Sequence, residues 1–84
     1  MNVQFTKQEA ASLFGRTVEC VKSKVWSADE IDLTFDLFKK GERAEVVCVA
    51  NDHETNDISI SLLVDNDLLA FNKEQFQEHC VVVN

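Results

Sequence analysis

Apolar residues return at every second position in several short runs, and that period of two decides what this chain can become. Ile58, Ile60, Leu62 and Val64 are separated by Ser59 and Ser61. Side chains on a strand point alternately to its two faces, so such a run makes a strand with one buried side. Val18 and Cys20 alternate with Thr17 and Glu19 within 17–22. Arg43–Ala50 places Ala44, Val46 and Cys48 on one side and Val47 and Val49 on the other. Ile31, Leu33, Phe35 and Leu37 alternate with Asp32, Thr34 and Asp36, which predicts another half-buried strand. A helix competes over Ile31–Phe38. Ser27 and Glu30 fit a capping box, and Ile31, Phe35 and Phe38 would share a helical face. The strict alternation favours the strand. Leu68–Phe71 and Val81–Val83 complete five to six strands, so the expected class is mainly β with a short N-terminal helix.

That helix is predicted over about 7–14. Thr6 and Glu9 fit a capping box, Phe5 can pack onto Ala10, and Gly15 supplies a left-handed stop. Lys39-Lys40-Gly41-Glu42 is a turn and 51–57 a polar loop. Asp65-Asn66-Asp67 suits a tight hairpin, because Asn and Asp tolerate positive φ. Asn72 caps one helical turn through Gln75, with Phe76 inward. No proline, repeat or linker divides the chain, so residues 1–84 read as a single domain.

From Thr17 onward the order of elements resembles the small SH3-like β-barrels of phage and prophage proteins. The features that carry the likeness are Val18-Glu19-Cys20-Val21-Lys22, a long loop or ribbon, then Lys40-Gly41-Glu42-Arg43-Ala44-Glu45-Val46. Ile58-Ser59-Ile60, Asp65-Asn66-Asp67, Phe71 and Phe76 supply the hairpin and the aromatic-containing turn. The resemblance implies an SH3-like barrel over about 17–84, with the helix as an addition. Ala44 departs from the pattern where such barrels often carry an aromatic residue, which weakens any groove inferred from them. A fold of this kind hosts many functions and assigns none.

Charge narrows the functions. Fifteen acidic residues against eight basic ones leave a net charge of −7, which repels phosphate backbones and disfavours direct nucleic-acid binding. No Lys or Arg lies between Arg43 and Lys73, a span that carries Asp52, Glu54, Asp57, Asp65 and Asp67. A second basic-free run holds Asp29, Glu30, Asp32 and Asp36. Trp26 lies in a polar stretch outside the clean alternations. It either lids one end of the barrel or offers a surface anchor of the kind enriched in binding hot spots. A chain of 84 residues has little room for a buried ligand cavity of about 300–1,000 Å³, so a surface site is expected.

Reaction chemistry finds little support. Cys20, Cys48 and Cys80 are far apart, each in an apolar stretch, as expected of buried thiols in a reducing compartment. With His53 and His79 they lack the short paired spacing of structural zinc sites, so no metal or other cofactor is expected. Cys80 follows Glu78, an anion expected to raise its pKa and blunt it as a nucleophile. No P-loop, dinucleotide fingerprint or serine elbow appears among two glycines, and the chain is not expected to be an enzyme. The first fourteen residues lack the pattern of a signal peptide and no apolar run approaches 18 residues, which predicts a cytoplasmic protein without a membrane span. The leading expectation is an acidic protein-interaction module. Its partner would present a basic surface, as when a phage-type inhibitor occupies the groove of a host nucleic-acid enzyme. Trp26, Asp29, Glu30, Asp32, Asp36, Asp52, Glu54, Asp57, Asp65 and Asp67 are its candidate contacts. A homo-oligomeric (for instance homodimeric) structural or accessory protein is the alternative, paired through the apolar Val81–Val83 edge. An oligonucleotide-binding barrel comes third, with only Lys22, Lys24, Lys39, Lys40 and Arg43 to form its basic face.

Overall fold

The computed structural model describes residues 4–84, with seven strands and two short helices. Thr6 caps helix α1 (Lys7–Leu13): its hydroxyl accepts from the Glu9 amide, and the Glu9 carboxylate accepts from the Thr6 amide. This reciprocal pair satisfies donors that a helix start otherwise leaves open. The helix ends one residue short of the expected Phe14, and Gly15 follows at φ +81°.

Strands β1 (Thr17–Cys20), β4 (Arg43–Asn51), β5 (Ile58–Val64), β6 (Asp67–Phe71) and β7 (Cys80–Val82) form one antiparallel sheet in the order β6-β5-β4-β1-β7. Its register brings the apolar positions face to face: Val18 opposite Ala44, Val46 opposite Leu62, Ile60 opposite Phe71 and Cys20 opposite Cys80. Each of these eight side chains is buried. Phe5 just before α1, Ala10 within it, Phe76 from α2 and Phe38 join the same core. Helix α2 (Lys73–His79) runs a turn beyond Gln75, the end expected from sequence, on an Asn72–Gln75 capping box. Between β5 and β6, Asp65 and Asn66 both take positive φ (51° and 68°), the pair of angles a two-residue type I′ hairpin requires.

Strands β2 (Lys24–Ala28) and β3 (Leu33–Phe38) pair only with each other, as a separate ribbon joined through a short 3₁₀ turn at Asp29–Ile31. The strand reading of Ile31–Phe38 therefore holds from Leu33 onward, but its predicted burial does not. Ile31, Leu33 and Phe35 are 67%, 44% and 46% exposed, because no second layer covers the ribbon. Phe38 is the fully buried residue instead, carried into the core where the ribbon rejoins the sheet. A bulge between Lys24 and Val25 shifts the register there. The turn at that junction is tied down. The Gly41 amide donates to the Cys20 carbonyl, the Glu42 amide to Lys39, and the Lys40 amide to the Ser23 hydroxyl. Gly41 itself sits at φ +94°.

Two further expectations need correction. The strands do not close: β6 and β7 remain the edges of an open sheet, with the ribbon apart from it. The last strand is Cys80–Val82 rather than Val81–Val83. Among the described residues no helix is long and apolar enough to cross a membrane.

Candidate functional site

The nine candidate acids fall in three places rather than on one face, and Trp26 lies apart from them on β2. Glu30 and Asp32 lie exposed at the tip of the ribbon, and Asp29 opens the 3₁₀ turn there, its side chain outside the described set. Asp32 takes φ 50°, a conformation Asp tolerates, as the chain turns back into β3. Asp52, Glu54 and Asp57 belong to the β4–β5 loop, where Asp52 serves the loop itself and Asp57 ties it to the segment before α1. Asp52 accepts from the Glu54 amide, and Asp57 accepts from the Gln4 side chain at 2.6 Å. Strand β5, seven residues long, separates this loop from Asp65. At roughly 3.3 Å per residue that is about 20 Å, so the loop and the β5–β6 turn cannot meet one small partner group together.

Asp36, Asp65 and Asp67 do come together. They border a half-open groove of about 480 Å³ between β3 and the β5–β6 hairpin. Its apolar lining comes from Phe35 and Leu37 on the ribbon and Val64, Leu68 and Leu69 on the hairpin, and no basic residue lines it. Among the described residues, none of these three carboxylates takes part in a side-chain hydrogen bond or ion pair. Glu9, Glu19 and Glu78, by contrast, are each held by a Lys or an Arg at 2.7–3.1 Å.

Trp26 is not a lid on the core. It is 42% exposed on β2, directly across from Phe35, with ring centroids 5.1 Å apart and planes at 34°. Cross-strand aromatic pairs of this kind stabilise a ribbon by roughly 0.2–1 kcal/mol. Ala28 and Leu33, also paired, lie two positions along the same face, while Ser27 and Thr34 project from the other. Through Phe35 the aromatic pair is continuous with the groove. The sequence offered Leu37, Val64, Leu68 and Leu69 only as strand positions. No local signal marks them as groove walls, since the groove exists only where ribbon and hairpin approach.

Of the remaining reactive side chains, Cys20, Cys80 and His79 look inward, while His53 is exposed in the β4–β5 loop. Cys20 and Cys80 are buried opposite one another across β1 and β7, whereas Cys48, expected in the core, is half-buried beside the β4 bulge. Burial pushes the Cys80 thiol up to about 12, with the adjoining Cys20 adding to the shift. Burial, rather than the expected Glu78, dominates this shift, and the Glu78 carboxylate pairs with Lys22 at 2.7 Å. Burial likewise raises the Cys20 thiol, and both are poor nucleophiles at neutral pH. His79 is no surface histidine. Its ring packs edge-on to Phe71 and its Nδ1 donates to the Lys22 carbonyl at 2.7 Å. Among the described residues no three His, Cys, Asp or Glu side chains are grouped to hold a metal ion. Compared with known protein families, curated proteins and solved structures, the chain has no significant match.

Proposed function

We propose that this protein is a non-catalytic interaction module that receives a basic segment of a protein partner in the acid-rimmed groove beside the ribbon. One observation carries the reading: three carboxylates without a side-chain partner among the described residues border an apolar groove that no basic residue lines. Such a surface attracts positive charge at a distance and then offers apolar area for contact. An inhibitor that covers the basic nucleic-acid groove of an enzyme is one biological form of this activity. The long ribbon after β1, the Lys-Gly turn before β4 and the return of β7 to β1 support reading the architecture as an opened relative of the SH3-like barrels.

The test compares two triple variants in the intact chain. D36N/D65N/D67N removes the groove charge, and D52N/E54Q/D57N removes the loop charge. A leucine-containing cationic peptide binds the parent and the loop variant alike, loses at least tenfold in affinity with the groove variant, and weakens between about 0.05 and about 0.5 M salt. Salt-independent binding, or equal losses in both variants, would sink the reading.

A second reading rests on β7, an open sheet edge where Val81, Val82 and Val83 are each at least 40% exposed. Such an edge can pair with a second copy. A constant monomer mass in sedimentation across a dilution series removes this alternative.

A further inference from the structure

We infer that the groove and ribbon select arginine over lysine in that partner, the guanidinium lying on the Trp26–Phe35 pair while it reaches the groove carboxylates. The inference rests on the groove being the docking site. The aromatic pair gives it a chemical identity that carboxylates alone do not. Phe35 belongs both to the stacked pair and to the groove wall, so the aromatic pair adjoins the groove that Asp65 and Asp67 border from the hairpin. A guanidinium is planar and weakly hydrated, stacks on aromatic rings, and donates two parallel hydrogen bonds to a carboxylate. An ammonium is compact and strongly hydrated, and loses more on leaving water for an apolar groove.

Among the described residues no Lys or Arg is found over the Trp26–Phe35 pair. Lys24, on the same strand as Trp26, lies over the Phe71 ring at 5.1 Å, the one cation–aromatic contact among the described residues. Lys22, Arg43 and Lys73 are engaged by Glu78, Glu19 and Glu9. A second copy is a poor occupant, since it brings a net charge of −7 to an acidic rim. Nucleic acid is repelled by the same rim. What complements the surface is an arginine-bearing peptide segment with aliphatic neighbours for Leu37, Val64 and Leu68.

The experiment titrates the full chain with two synthetic peptides, one alternating arginine with leucine and one alternating lysine with leucine, by calorimetry. The arginine peptide binds about fivefold more tightly or better, in line with cation–π attraction on exposed rings. W26L, outside the groove lining, erases that preference while leaving lysine-peptide affinity within about twofold; F35L, which alters the groove wall itself, removes the preference and weakens both peptides; circular dichroism reports whether they stay folded. D65N, which keeps a residue tolerant of positive φ, weakens both peptides. Equal affinity for the two peptides in the parent protein overturns the arginine preference and leaves the docking site standing. Failure of both to bind overturns the docking site itself.

Discussion

Strands β5 and β3 carry the same alternation of apolar and polar residues and end in opposite environments. In β5, Ile60 and Leu62 are fully buried, under the core that α1, α2 and the adjoining strands build. In β3, Leu33 and Phe35 remain nearly half exposed, because the ribbon's close contacts are with itself. The difference teaches that period two specifies a strand and a preferred face, while burial of that face needs a second layer. An uncovered apolar face beside unpaired acids is what a docking surface requires.

Substitutions that test the two strands against each other should give the widest separation. Leu62→Ala removes a fully buried side chain and is expected to cost about 2–5 kcal/mol, whereas Leu33→Ala on the ribbon costs less than about 1 kcal/mol. Urea denaturation of the two variants measures this, and equal losses would mean that the ribbon is packed like the sheet.

Alkaline pH probes the sheet's C-terminal edge. The folded-state pKa of Cys80, about 12, lies above its ordinary value of 9.0, so the folded protein holds this proton more tightly than the unfolded chain. Its contribution to stability is complete below about pH 9 and lost as pH rises toward about 12. Urea midpoints at about pH 8 and about pH 10.5 should fall further for the parent than for Cys80→Ala.

At the junction of the two regions, Gly41→Ala places a Cβ on a residue at φ +94°, with no neighbour within 4 Å to clash. The cost is therefore conformational, on the order of 1–2 kcal/mol, and thermal unfolding reports it. Trp26→Leu has the smallest expected effect on stability, within about 0.5 kcal/mol. A loss comparable to that of Leu62→Ala would show Trp26 to be a core residue.

Much of the local structure was legible because its causes are local. Thr6 and Glu9 meet within one helical turn, Gly15 and Gly41 take positive φ as punctuation, and Asp65-Asn66 forms the tight hairpin its side chains tolerate. The extension of α2 to His79 was less visible. Val81 and Val82 suggested only a strand, and nothing in Phe76–His79 showed where that strand would start. Of the ten candidate contacts, Asp36, Asp65 and Asp67 meet at the groove, and Trp26 joins them through Phe35. Asp52 and Asp57 could not be separated from them in sequence, since an acid that caps its own loop or meets a distant Gln4 and one without such a bond look alike in one dimension.

Composition and alternation alone determined a mainly β domain of strong negative charge, with Ile60, Leu62, Val18 and Val46 as its interior. These follow from side-chain direction along a strand and from summed charge, neither of which needs a distant neighbour. Only the tertiary arrangement decided that the sheet stays open, that the β2–β3 ribbon stands outside the core, and that Asp36 meets Asp65 and Asp67. Pairing between segments some thirty residues apart depends on which surfaces remain uncovered once the core has formed, and no single strand encodes that.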